Sequence, residues 1–141
     1  MKKLLLALVF ALLFVGVLTA DIWYPANQRT IAWDAVTNMT DEDGNIIPIP
    51  SGDIVTYEVW IKDFYSGVTE SVGTTSDTQL IITLPSEGRY YPGVCTLRLP
   101  QGETDTVSST ISWGDDPLVT QSGERIGIYY YFFPEGPVGL R

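Results

Sequence analysis

The side chains that could carry chemistry in this sequence are carboxylates, one thiol and aromatic rings. The 141 residues contain no histidine, which excludes Ser-His-Asp and Cys-His nucleophilic systems and zinc sites built with histidine. Cys95 is the single cysteine, so a disulfide within the chain is excluded as well. These residue types predict no cofactor, and they leave metal binding and aromatic contacts as the chemistry to consider.

The densest acidic run, DEDGN at residues 41–45, is a candidate calcium site. Its oxygen-bearing side chains alternate at Asp41, Asp43 and Asn45, and extracellular calcium modules bind with dissociation constants of about 10⁻⁴–10⁻³ M. The glycine of the run comes too early for an EF-hand loop, and Gly52 stands where the bidentate glutamate would be. A solvated turn is therefore the favoured interpretation, and calcium binding is the alternative.

A second acidic feature is the neighbouring pair Asp115 and Asp116. Adjacent residues of a strand point to opposite faces, so these two carboxylates cannot easily converge on one scissile bond. The pair is therefore a weak candidate for general acid and base. We predict no catalytic residues, and we expect that the protein is not an enzyme.

Aromatic residues provide the candidates for binding. Residues 54–63 alternate in polarity and place Trp60 on the outward side of a strand, where it either contacts a partner or sugar or is covered by neighbouring side chains. Near the C-terminus five aromatics follow one another, a run too short to span a membrane as a helix. This run either adds a strand within the chain or pairs with the sheet edge of another chain. Its members are Tyr129, Tyr130, Tyr131, Phe132 and Phe133.

The first 20 residues have the layout of a secretory signal peptide. Lys2 and Lys3 precede an apolar run at residues 4–18, and polarity returns after Ala20. We predict a hydrophobic signal helix and a secreted, extracellular or cell-surface protein, with an uncleaved membrane anchor as the alternative. Cleavage would change the net charge from −9 to −11, because both lysines are removed. So acidic a chain is not expected to bind nucleic acid.

The rest of the chain is predicted to consist of strands and turns. Short β-branched and aromatic runs recur between clusters of glycine, proline, aspartate and serine, at the spacing of about 8–12 residues that is typical of antiparallel sandwiches. This pattern predicts an all-β, antiparallel two-sheet sandwich. Pro92 falls inside one of the runs, where we expect a bulge or a slipped register. The runs lie at residues 29–36, 54–63, 68–72, 78–84, 90–98 and 106–113.

The order of these motifs resembles a fibronectin type III domain, an immunoglobulin-like sandwich, over residues 28–113. Trp33 stands where the family has its core tryptophan on strand B, and residues 57–61 resemble the alternating pattern of strand C. Leu84 and, six residues later, Tyr90 resemble the leucine and tyrosine of the tyrosine corner between strands E and F.

The resemblance implies a non-catalytic module for protein recognition, spacing or adhesion. We therefore predict a signal peptide at residues 1–20, a fibronectin type III-like domain at 21–116 and an aromatic tail at 117–141 that forms an extra strand. The predicted function is a secreted module for protein interaction, self-association or adhesion, and a carbohydrate-binding accessory module is the alternative. An aromatic strip across one sheet face would favour carbohydrate.

Overall fold

β-Branched and aromatic residues dominate the parts of the chain that form strands. The computed structural model describes residues 20–131, so the predicted signal helix, Phe132 and Phe133 lie outside the described residues. Within residues 20–131 the regular elements are all strands, and no helix there could cross a membrane. The strands are β1 (Ile22–Pro25), β2 (Gln28–Ala32), β3 (Asn38–Thr40), β4 (Ile46–Pro48), β5 (Ile54–Asp63), β6 (Thr69–Thr75), β7 (Gln79–Thr83), β8 (Gly88–Leu99), β9 (Val107–Ser108), β10 (Ser112–Trp113) and β11 (Ile126–Tyr130).

The strands form one large sheet and two small ones. The large sheet has the order β1-β11-β8-β5-β6, and β9 and β10 also pair with β8. β2 and β7 form the small sheet, whereas β3 and β4 form a separate hairpin. All these pairs are antiparallel except β1 with β11, which is parallel. The prediction of an all-β chain is confirmed.

The large and small sheets share one hydrophobic core. Alternation along β5 buries Tyr57, Val59 and Ile61 on one face, as the sequence predicts. The small sheet contributes Ile82 to the same cluster, and partly buried Trp33 packs against it. The buried members of the cluster are Val59, Ile61, Ile82, Leu84, Tyr90 and Ile128.

Pro92 does not produce the bulge that we expected in its own strand. β8 keeps a continuous register with β5, in which Pro92 lies opposite Ile61, and the irregularity of β5 falls on its pairing with β6 instead. Proline lacks an N–H, and the neighbouring strand on the other side is interrupted there. The Gly114 carbonyl accepts a hydrogen bond from the N–H of Ile126 at 2.7 Å, so the proline leaves no acceptor unpaired at this point.

The described part of the C-terminal tail lies within the large sheet. β9, β10 and β11 follow one another along the same edge of β8, and residues 114–125 leave this edge and return to it. β11 pairs with β8 on one side and with β1 on the other, so both of its edges are occupied within the chain. Tyr130 packs against the core, and Tyr129 points to the opposite face.

Candidate functional site

The outer face of the large sheet, which points away from the core, carries the densest group of rings and cations among the described residues. Because side chains alternate along a strand, β5 directs Trp60 and Lys62 outward while Val59 and Ile61 point into the core. The register places Tyr91 of β8 opposite Lys62, on this same outer face.

Four aromatic side chains on this face form what we call the outer aromatic cluster: Trp23, Phe64 and Tyr91, whose rings contact one another, and Trp113, which is linked to Tyr91 through Lys62. The ring of Trp23 meets Phe64 edge-on, with centroids 5.2 Å apart and planes at 75°. Tyr91 is tilted at about 43–44° to both, with its centroid 5.2 Å from Trp23 and 5.6 Å from Phe64. Tyr91 is buried, whereas 38% of Phe64 is exposed, so the cluster has a covered base and an open rim.

Two glycines allow the tryptophans to lie across the sheet. A Cβ atom at Gly93 would come within 2.5 Å of the Trp113 ring, and one at Gly127 would come within 2.5 Å of the Trp23 ring. Each tryptophan is paired in register with that glycine on the neighbouring strand. The indoles therefore occupy the space that side chains at residues 93 and 127 would otherwise fill.

Two cations lie over the rings, and they differ in their partners. Lys62 Nζ is 4.7 Å from the Trp113 ring centroid and 5.7 Å from that of Tyr91, and it binds Asp115 at 2.5 Å. Arg89 is exposed and lies 5.8 Å from the ring of Trp23 and 5.9 Å from that of Phe64. Within residues 20–131 no carboxylate forms an ion pair with Arg89.

Two groups with acidic protons on this face, Tyr91 and Cys95, are poor nucleophiles at neutral pH. Burial raises the pKa of the Tyr91 phenol, and the nearby carboxylate of Asp21 raises it further. Burial likewise raises the pKa of the Cys95 thiol, of which only 4% is exposed. Both groups therefore stay protonated near pH 7.

The structure places Trp60 on the outer face but does not leave it open. Trp60 is half-buried and lies between Gly93 of β8 and Ser71 of β6 in the pairing. It is therefore a weaker binding candidate than the rim formed by Phe64.

The acidic run at residues 41–45 forms the turn of the β3–β4 hairpin. Asp41 Oδ1 accepts hydrogen bonds from the N–H groups of Asp43 at 3.0 Å and Asn45 at 2.8 Å, and Oδ2 accepts one from Asn45 Nδ2 at 3.2 Å. The hydrogen bonds that Asn45 donates are the main cause of the lowered pKa of the Asp41 carboxyl. Within residues 20–131 no three acidic or cysteine side chains lie together as metal ligands.

The neighbouring carboxylates Asp115 and Asp116 make separate contacts. Asp115 binds Lys62, whereas Asp116 Oδ1 accepts a hydrogen bond from the N–H of Leu118 at 2.9 Å.

The described part of the C-terminal aromatic run reaches the outer face. Tyr129 lies opposite Arg89 on this face, and its ring is 6.2 Å from that of Tyr131. The described part of the aromatic run therefore borders the outer aromatic cluster.

Sequence reasoning did not identify the members of this cluster. For Lys62, which lies over two of the rings, the sequence does contain information: it is two residues after Trp60 in the alternating pattern of β5, so it is expected on the same outward face. Trp23 and Trp113 lie in short runs whose strand partners are distant in sequence, so no local pattern shows that they lie on one face.

A concave region lies between the two sheets. A groove of about 580 Å³ runs between β2 and the β10–β11 edge, and its lining includes Ile31, Trp33, Tyr57, Val94 and Ile128. Its lining comes mostly from the inner faces of the two sheets, in contrast to the outer aromatic cluster.

In comparisons with known proteins, no family model, no curated protein and no solved structure matches this chain. The contacts and charges of the described residues are therefore the basis for a functional assignment.

Proposed function

We propose that this protein is an exported, non-catalytic module for protein recognition and that the outer aromatic cluster is its binding surface. The observation that carries the proposal is Arg89, an exposed cation without a carboxylate partner among the described residues, beside Trp23 and Phe64. Tryptophan, tyrosine and arginine are the residues most enriched at the energetic centres of protein interfaces. A partner that carries a carboxylate beside an apolar group would pair with Arg89 and pack against Trp23 and Phe64.

The proposed fold is a fibronectin type III-like, immunoglobulin-like sandwich. The β2–β7 pair and the order β6-β5-β8-β10 support it, because they divide the strands as that architecture requires. Tyr90 Oη donates a hydrogen bond to the Ser86 carbonyl at 3.1 Å, the geometry of a tyrosine corner. Trp33 also lies in the core region, 5.3 Å from Tyr57 between ring centroids.

Carbohydrate binding is the second candidate, and one observation favours it. Trp23 and Trp113 lie over glycines, so each presents an aromatic ring at the sheet surface. The other rings weaken this candidate, since Phe64 stands at 75° to Trp23 rather than parallel to it. Lys62 also lies over the Trp113 ring, where a sugar would stack. Protein recognition therefore remains the first proposal.

The experiment is binding of the labelled chain, residues 20–141, to surface material from the producing organism. We expect Arg89→Ala and Phe64→Ala to weaken binding at least about tenfold each, since truncation of an interface hot spot costs 2 kcal/mol or more. Ile81→Ala is the matched control, because Ile81 is 68% exposed on the small sheet.

Treatment of the surface material separates the two candidates. Loss of binding after proteolysis, with binding retained after periodate oxidation, supports a protein partner. The reverse result assigns the surface to carbohydrate. Equal binding by wild type, Arg89→Ala and Phe64→Ala would contradict the proposed site.

A further inference from the structure

The small sheet has two strands, and the edge of β2 that faces away from β7 is unpaired among the described residues. The N–H of Trp33 donates to the Thr78 carbonyl at 3.0 Å, and the N–H of Leu84 donates to the Asn27 carbonyl at 2.8 Å. Because antiparallel bonding alternates along a strand, the N–H and C=O groups of residues 28, 30 and 32 point to the free edge. β2 therefore presents a backbone with which another extended chain can pair.

The groove of about 580 Å³ between the two sheets lies along this free edge. Thr30 and Ala32 of β2 belong to its lining, and Val94 of β8 and Ile126 of β11 line it from the large sheet. Val94 and Ile126 are half-buried. A third strand beside β2 would cover them with the side chains of every second residue.

The charged residues of the groove lie at its two ends. Among the described residues that line it, Arg29 on β2 and Asp34 just beyond β2 are the two that carry charge. Arg29 is half-buried, lies 4.0 Å from the ring of Tyr24 and forms no ion pair within residues 20–131. Asp34 follows about 16 Å further along an extended chain and contacts the Gln121 amide at 3.4 Å. A carboxylate at the Arg29 end and a cation at the Asp34 end would complement the groove.

The free edge of β2 favours an extended polypeptide over a compact small molecule. Its unpaired backbone groups recur every two residues, about 6.6 Å apart, along a groove whose lining includes Ile31, Val94 and Ile126. A neighbouring strand has N–H and C=O groups at the same repeat and can pair with them. A compact apolar molecule would cover the same groups without hydrogen bonds, which is unfavourable.

We propose that this groove binds an extended segment of a partner protein, which adds a third strand to the small sheet, antiparallel to β2. The segment has apolar residues at every second position and a carboxylate that pairs with Arg29. Main-chain hydrogen bonds supply affinity in this mode of binding, and the alternating side chains supply specificity. The groove lies on the inner side of the large sheet, so the inference does not depend on the role proposed for the outer aromatic cluster.

The test is an NMR titration of the chain, residues 20–141, with the blocked peptide Lys-Thr-Val-Thr-Val-Thr-Glu. Trp33 lines the groove, and its indole N–H is buried without an acceptor among the described residues, so its signal is the reporter. Trp60, on the outer face, is the internal reference. We expect the Trp33 signal to shift and to saturate with a Kd below about 1 mM, while that of Trp60 stays unchanged.

A proline at the edge of β2 tests the backbone pairing. Thr30→Pro removes an N–H from the free edge and leaves the bonds to β7 in place, because that N–H does not point to β7. Ile81→Pro is the matched control, since Ile81 is the register partner of Thr30 and its N–H points to the other edge of the small sheet. We expect Thr30→Pro to weaken peptide binding at least about tenfold and Ile81→Pro to leave it unchanged.

A charge exchange tests the ion pair without a change in the backbone. Arg29→Glu should weaken binding of the peptide about tenfold, and a peptide with lysine in place of its glutamate should bind Arg29→Glu better than wild type. Arg89→Glu is the matched control, because Arg89 lies over rings of the outer face and outside the lining of the groove. It should bind the original peptide as wild type does.

The outcomes separate this site from its alternatives and from the proposed function. An unchanged Trp33 signal at 1 mM peptide, or equal losses in Thr30→Pro and Ile81→Pro, overturns strand addition at β2. A dimer mass in light scattering that Thr30→Pro converts to a monomer assigns the edge to a second copy and overturns the partner segment. Peptide binding by a chain whose affinity for surface material is unaffected by Arg89→Ala supports the groove and contradicts the proposed function of the outer aromatic cluster.

Discussion

The two faces of the large sheet are built from the same strands, yet they differ in chemistry. On the inner face Val59 and Ile61 of β5 are 0% and 2% exposed. The outward residues of β5 and β8 include Lys62 and the exposed Arg89, which lie over aromatic rings. The period of two therefore separates the face that packs in the core from the face that carries the outer aromatic cluster.

The outer face is covered without a third layer of backbone. Trp23 and Trp113 come from short strands at the edge of β11 and β8 and lie across Gly127 and Gly93. Large apolar rings thus shield the sheet while their outer side stays accessible. The inner face, by contrast, is covered by the small sheet, so its core side chains have no side that is accessible to solvent.

Truncation of a core side chain should have the largest effect on stability. Ile61 is 2% exposed, so Ile61→Ala should lower the free energy of unfolding by about 2–5 kcal/mol. Phe64→Ala, on the outer rim at 38% exposure, should cost less because part of its ring is already in water. Urea unfolding of both variants measures the difference. Equal losses would show that the outer cluster is as much a part of the core as the inner face.

Addition of one methyl group under Trp23 should have the next largest effect. Gly127→Ala places a Cβ 2.5 Å from the indole, and we expect a loss of about 1–3 kcal/mol from the displaced ring. The loss should fall sharply when the same change is made in a Trp23→Ala chain, since the clash is then absent. Urea unfolding of the four chains gives the coupling. An unchanged cost in the Trp23→Ala background would mean that the backbone, and not the ring, requires glycine.

The fold was more predictable than the site, and particular residues show why. The alternation of residues 54–63 is local, so it correctly predicted both the bounds of β5 and the burial of Tyr57. The outer aromatic cluster depends on pairings between distant residues, such as Trp23 with Gly127. Pro92 was misjudged for a related reason: its effect depends on where the neighbouring strand is interrupted, and this is a tertiary property.

The ion pair of the outer face should have a smaller effect than either packing change. Lys62 and Asp115 are partly exposed, with 22% and 30% of their side chains accessible, so Asp115→Asn should cost about 1 kcal/mol or less. The loss should shrink as salt is added, because screening weakens the pair in the wild type. Asp116→Asn is the matched control, since its amide oxygen can still accept the N–H of Leu118. Equal losses in the two variants would exclude a contribution specific to Lys62.

The smallest effect on stability is expected for an ion pair near the C-terminal end of β8, on the side of the sheet that faces the core. Arg98 lies 2.5 Å from Asp53, and its hydrogen bond, followed by the N–H of Gln101, lowers the pKa of the Asp53 carboxyl below its usual 3.8. A lowered pKa in the folded state stabilises the protein above pH 3.8, and this stabilisation is lost as the pH falls through the folded value. The Asp53→Asn chain should therefore lose less stability than wild type between pH 7 and pH 3 in urea unfolding. The exposed Asp105, changed to asparagine, is the control and should keep the pH dependence of wild type. If Asp53→Asn keeps the full pH dependence, the ion pair does not stabilise this end of the sheet.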